Sequence, residues 1–133
     1  MNNNVLVEIE KLRIDYGLII PKEFAEFISN VNKFEYAGVE IQIDQLQFEF
    51  NSFIVCENDE LYNSLLKWYV LNNDELSEYL VFAFGGYNDS FAIKAKGADI
   101  GKIYHIESNE DKKIIKYICE SFNRFIEILK ENR

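Results

Sequence analysis

Residues 39–50 contain two stretches in which apolar and polar side chains alternate strictly, 39–43 and 46–50. A period of two places all the apolar side chains of a strand on one face, so each stretch predicts a half-buried β-strand with one wet face. The wet faces carry the carboxylates of Glu40, Asp44 and Glu49. Strands with one wet face are typical of an antiparallel sheet that is covered on one side only.

Helical spacing of apolar residues marks segments on both sides of these strands. Residues 5–15 predict a short helix that ends at Gly17. Residues from about 21 to 32 predict an amphipathic helix with proline at its first helical position. Asn58 is placed to cap a further helix that contains Leu65.

The second half of the chain predicts three more strands and one long helix. The strands cover residues 78–84, 90–95 and 102–106. The first of them has three apolar residues on one face, Leu80, Phe82 and Phe84. Ser108 is then placed to cap a long helix whose apolar stripe runs from Ile114 to Leu129. This order of elements predicts a single α+β domain over residues 1–133, with a mostly antiparallel sheet of about five or six strands and helices packed on one side.

Negative charge is concentrated in the middle of the chain. The formal net charge is −9 at pH 7, and residues 34–93 contain eleven acidic residues against one basic residue, Lys67. An acidic domain repels phosphate, which disfavours nucleic-acid binding. The same field attracts a basic protein partner and speeds its association. On charge alone, a plain role in solubility explains the acidity equally well.

The residue types that carry most enzyme chemistry are scarce. His105 is the only histidine, and in a predicted strand the ordinary role of a histidine is structural and half-buried. Cys56 and Cys119 lie far apart among apolar residues, as small buried side chains do. Gly85-Gly86 lacks the context of a phosphate-binding loop. We therefore predict no catalytic residue, no cofactor and no metal site, and we do not expect an enzyme.

The N-terminal residues and the number of cysteines indicate the cellular compartment of the protein. The first residues lack the basic and apolar regions of a signal peptide, and no run of about 18 apolar residues is present to span a membrane. Two cysteines cannot form a disulfide framework, which favours a reducing compartment. We expect a cytoplasmic protein without membrane contact, either a monomer or a weak homodimer.

Five segments resemble motifs of the SUKH superfamily. Residues 16–27 are similar to its glycine-to-proline step into a helix, and residues 79–86 resemble its central strand and turn. Residues 91–93 and 101–104 resemble the following strands, and residues 121–126 resemble its closing Ser-Phe-x-x-Phe helix. The resemblance covers roughly residues 9–130, which is nearly the whole chain.

The resemblance implies a function that is carried out through protein contacts. Bacterial members of the superfamily are typically immunity proteins that neutralise polymorphic toxins, often nucleases, and fungal relatives regulate cell-wall assembly. Many nucleases are basic around the active cleft, so an acidic face fits such a toxin domain. The candidate partner-binding residues are Glu35, Glu40, Asp44, Glu49, Glu57, Asp59, Glu60, Asp74, Glu75, Tyr87 and Asp89.

Three functions remain open at this point. The first is a bacterial immunity-type protein that occludes a cognate, basic toxin domain. The second is a cytoplasmic regulatory or scaffold module without a toxin partner, and a toxin gene directly upstream would distinguish the first from the second. The third is a small enzyme that uses paired carboxylates, although no spacing in the sequence selects a pair.

Overall fold

Three helices and six strands are bounded in the structure, a computed structural model that describes residues 4–54, 62, 64–66, 69, 76–86, 89–109 and 112–133. The helices are α1 (Asn4–Tyr16), α2 (Lys22–Asn30) and α3 (Phe122–Glu131). The strands are β1 (Glu40–Ile43), β2 (Leu46–Phe53), β3 (Tyr79–Gly85), β4 (Asp89–Lys94), β5 (Ile103–Asn109) and β6 (Lys112–Cys119). Residues 62, 64–66 and 69 are also helical.

The six strands form one antiparallel sheet in chain order, from β1 at one edge to β6 at the other. The sheet is strongly curled. Phe48 on β2 and His105 on β5 are three strands apart, about 14 Å in a flat sheet, yet their ring centroids lie 4.1 Å apart. The predicted α+β class with an antiparallel sheet is confirmed.

Helices cover the concave face of the sheet. The main hydrophobic core lies between them and contains Phe24 of α2, Phe82 of β3 and Phe125 of α3. Phe24 and Phe82 meet edge to face with centroids 5.5 Å apart, and Phe82 and Phe125 do so at 5.6 Å. Edge-to-face packing of this kind stabilises a core beyond the area that it buries. A smaller cluster on the convex face contains Ile54, Leu76, Val81, Ala92 and Ile106.

The first two helices largely follow the sequence pattern. Gly17 has a φ of +70° and donates its N–H to the carbonyl of Arg13, so it ends α1 in the left-handed conformation that glycine favours. Pro21 is the residue before α2 rather than its first helical residue, and it is extended, with a ψ of 146°. No helix in the described residues is long and apolar enough to cross a membrane.

The long helix predicted from Ser108 to Leu129 is wrong. Lys112–Cys119 is an edge strand paired with β5, and the helix begins only at Phe122, with Ser121 as its N-cap. The apolar spacing at residues 114, 115 and 118 fits a helix. However, isoleucine is β-branched and prefers extended backbone, and pairing with β5 makes that preference decisive.

The prediction that Phe84 shares a face with Leu80 and Phe82 is also wrong. The pairing of β3 with β4 shifts register between Val81 and Ala83. A bulge of this kind reverses the alternation, so Leu80 and Phe82 face the main core while Phe84 packs on the convex side.

Candidate functional site

Glu40 and Glu49 lie directly opposite each other on the exposed face of the hairpin formed by β1 and β2. Opposed residues in such a pair have Cβ atoms about 5 Å apart. Glu40 accepts a hydrogen bond from the amide of Gln47. Among the described residues, neither carboxylate forms an ion pair. The hairpin therefore presents two adjacent negative charges that no described cation offsets.

Two further candidate acids lie near this hairpin, but they differ in what surrounds them. Asp44 occupies the turn between β1 and β2, is exposed, and has a φ of +55°. Glu35 lies before β1 and forms an ion pair of 3.0 Å with Arg133, whose guanidinium also stacks on Tyr36. Asp44 thus extends the acidic hairpin, whereas the charge of Glu35 is already offset.

Asp89 is turned toward the interior rather than toward the hairpin's exposed face. It begins β4, and its Oδ2 atom lies 3.2 Å from Nε2 of His105 on β5. His105 is only 2% exposed and packs between Phe48 and Phe91. The sequence analysis expected a half-buried histidine, so this residue is more deeply buried than predicted.

Burial favours the neutral form of the His105 imidazole. In the described part of the chain neither ring nitrogen has a hydrogen-bond partner, although Oδ2 of Asp89 lies 3.2 Å from Nε2. Burial lowers the pKa of His105, and the nearby charge of Asp89 opposes that effect without overcoming it. Because this imidazole is only 2% exposed, a substrate cannot reach it readily, which indicates a structural role.

The other candidate residues lie outside the described part of the chain, as does Cys56. They are Glu57, Asp59, Glu60, Asp74, Glu75 and Tyr87. Cys119 is buried on β6, and burial raises the pKa of its thiol to about 11, so it remains protonated and unreactive near neutral pH. Among the described residues, no group of three or more His, Cys, Asp or Glu side chains is arranged to hold a metal ion.

A cavity that the sequence analysis did not predict opens between the two edges of the sheet. Its volume is about 290 Å³. We call it the seam, because β1 and β6 border it on either side and one face of α3 forms a wall. Its lining residues are Gln42, Ile43, Tyr117, Ile118, Cys119, Glu120, Arg124, Ile128, Glu131 and Asn132. The seam depends on the curl of the sheet, which brings the first and last strands together.

The seam is lined by a mixture of apolar, polar and charged side chains. Ile118 and Ile128 are buried, whereas Glu120 is exposed. Arg124 is held by two carboxylates on its own helix, at 3.1 Å from Glu127 and 3.2 Å from Glu131. The positive charge of Arg124 is therefore already offset, and the rim is negative overall.

A curled antiparallel sheet with helices on its concave face, an acidic hairpin and an open seam together define an α+β protein with two candidate binding surfaces. The chain belongs to the SMI1 / KNR4 family (SUKH-1), whose model matches residues 6–128. The superfamily resemblance is thereby confirmed. The family includes toxin-immunity proteins, and its members are generally immunity or regulatory proteins rather than enzymes. A search of the curated proteins and a search of the solved structures each find no match.

Proposed function

We propose that this chain is an immunity-type protein that neutralises a cognate, basic toxin domain by covering it with an acidic face. The observation that carries the proposal is the pair formed by Glu40 and Glu49 on the exposed hairpin face. Like charges directly opposite each other in a sheet destabilise the fold. A basic partner would relieve this repulsion on binding, whereas a purely solubilising role does not require the two acids to face each other.

Family membership and charge support the same partner class. Proteins of this family act through protein contacts. A net charge of −9 attracts a basic domain over a distance of several ångströms and opposes nucleic-acid binding. A specific interface needs roughly 800 Å² on each partner, which a chain of this size can supply. The proposal places the protein in the cytoplasm as a monomer or a weak homodimer.

The first experiment is affinity capture of the tagged protein from its own cells, with washes at moderate and high salt. We expect one stoichiometric partner with a basic domain that is released by salt, because screening shortens the reach of surface charge. Recovery of a stable complex without any toxin domain would favour the regulatory module instead.

The second experiment compares two charge reversals in binding to the captured partner. Glu40→Lys places a cation opposite Glu49, which stabilises the hairpin, yet we expect it to weaken binding by about tenfold. Glu23→Lys makes the same change in net charge at an exposed position on α2 and should leave the affinity within about threefold of the unchanged protein. Equal affinities for both variants would contradict a role for the acidic hairpin.

A further inference from the structure

The edge of β1 is open to pairing with another strand. The Phe50 N–H donates to the Val39 carbonyl at 2.8 Å, which sets the alternation of hydrogen bonds between β1 and β2. Pairing alternates along an antiparallel ladder, so Glu40 and Gln42 turn their backbone N–H and C=O groups away from β2. In the described part of the chain no strand is hydrogen-bonded to that side of β1, and β6 lies across the seam from it. These backbone groups therefore face the seam and solvent.

The two edges of the sheet differ in how well they resist strand addition. β6 carries Lys112, Lys113 and Lys116, and lysine is a common means of blocking an exposed edge. β1 has neither lysine nor proline, and its one charged residue is Glu40. The β1 edge is therefore the one that is chemically suited to accept a further strand.

The cavity and the charged residues beside the β1 edge indicate which kind of segment can bind there. The cavity beside Gln42 and Ile43 has a volume of about 290 Å³, which is room for one side chain, and its mixed lining includes the buried side chains of Ile118 and Ile128, which an apolar side chain can contact. The charges that remain without a described ion-pair partner along this edge are those of Glu40 and Glu120. Complementarity thus calls for an extended segment in which apolar and basic side chains alternate.

We propose that the β1 edge accepts an extended, basic segment of a partner protein as an additional strand, with one apolar side chain in the seam and a lysine or arginine beside Glu40. This inference rests on the proposed function and specifies its binding mode. Backbone hydrogen bonds to Glu40 and Gln42 supply affinity, and the cavity and the carboxylates supply specificity. A second copy of this chain is a poor occupant, because both copies carry a net charge of −9.

The test uses a seven-residue peptide of alternating lysine and valine with blocked ends, and a matched peptide of glutamate and valine. Binding is followed by NMR titration and amide exchange of the full chain. We expect the lysine peptide to shift and protect the Glu40 and Gln42 amides, with smaller shifts at Tyr117 and Ile118. The glutamate peptide should leave these amides unchanged.

Two substitutions at one position separate backbone pairing from side-chain contact. Gln42→Pro removes an N–H that points away from β2, so it spares the ladder, and we expect it to weaken lysine-peptide binding by about tenfold or more. Gln42→Thr keeps the N–H and should bind within about threefold of the unchanged protein. An unchanged melting temperature for both variants shows that the fold is retained.

Each remaining outcome overturns the strand addition. Binding that survives Gln42→Pro but is lost in Glu40→Lys means that charge alone attracts the peptide, which leaves the proposed function standing and removes this binding mode. Shifts confined to other elements, or no binding at all, remove it as well. Protection of Gln42 that rises with protein concentration alone identifies a second copy as the occupant.

Discussion

The buried imidazole of His105 couples the stability of the fold to pH. The charged groups that face it are Asp89 on β4, Glu107 on β5 and Lys116 on β6. Burial lowers its pKa below the value of about 6.5 found in an unfolded chain. The unfolded state therefore binds more protons as the pH falls through about 6.5, and the free energy of unfolding decreases.

We expect the free energy of unfolding to fall as the pH drops through about 6.5, with a slope of at most about 1.4 kcal/mol per pH unit. His105→Leu should flatten the slope, because it removes the titrating group and leaves an apolar side chain between Phe48 and Phe91. Urea denaturation at several pH values gives the free energy of unfolding of the unchanged protein and of the variant. An unchanged slope in the variant would assign the pH dependence to other groups.

Gly85 is required for close contact between β2 and β3. A Cβ atom at this position would lie 2.7 Å from the carbonyl oxygen of Glu49, which is a backbone atom that cannot move freely. We expect Gly85→Ala to lower the free energy of unfolding by about 1–3 kcal/mol. Gly86→Ala is the matched control, since its Cβ would meet only the carboxylate end of the Glu49 side chain, at 3.1 Å. Equal losses for the two variants would contradict this steric explanation.

Among the elements, α3 begins at a side-chain cap, the hydroxyl of Ser121. The Ser121 hydroxyl accepts a hydrogen bond of 3.1 Å from the Arg124 N–H at the start of the helix. We expect Ser121→Ala to lower the free energy of unfolding by about 1 kcal/mol, and Ser121→Asp to retain most of the wild-type value, because aspartate caps equally well. Thermal denaturation compares the three proteins, and a loss as large in the aspartate variant would argue against the cap.

Local patterns in the sequence predicted most elements. They failed where the same spacing of apolar residues is compatible with both a helix and a strand. Residues 39–50 alternate in the sequence and form the hairpin of β1 and β2. The isoleucines of β6 are spaced for a helix, and only pairing with β5 makes them a strand. Two features of the sequence indicate the correct structure. The β-branched isoleucines favour a strand at residues 112–119, and Ser121 is a possible N-cap for a helix that begins at Phe122.

The candidate site was predictable to a smaller extent than the fold. Alternation placed Glu40 and Glu49 on the exposed face of their strands, as the structure has them. Their position directly opposite each other depends on the hairpin register, and the seam depends on the curl that brings the first and last strands to one cavity. No local pattern encodes a cavity whose lining joins residues as distant in the sequence as Gln42 and Tyr117.

At the scale of the whole molecule, one aromatic cluster joins the sheet to the helices. The Phe125 ring on α3 contacts those of Phe91, Phe82, Phe50 and Phe122, with centroids 5.4, 5.6, 6.1 and 6.5 Å away. These rings belong to α3 and to the strands β2, β3 and β4. The cluster therefore joins the helical layer to the sheet, and we expect the two to unfold as one cooperative unit.

We expect Phe125→Ala to lower the free energy of unfolding by about 3–5 kcal/mol, a large part of the total of about 5–15 kcal/mol for a typical domain. In both the unchanged protein and the variant, the far-ultraviolet circular dichroism of the helices and the near-ultraviolet signal of the packed aromatic rings should be lost in one transition on denaturation. Phe34→Ala is the control, because Phe34 is 59% exposed and its removal should cost less than about 0.5 kcal/mol. Separate transitions for the two signals would contradict a single cooperative core.

The open seam also bears on how a chain of this kind diversifies. Gln42 and Glu120 border the opening but contribute nothing to the main core, whereas Phe50 and Phe82 fill that core and lie away from the opening. Selection can therefore act on the two sets separately. If the binding partner changes, substitutions at the rim can alter the binding surface, while the aromatic core that stabilises the fold stays the same.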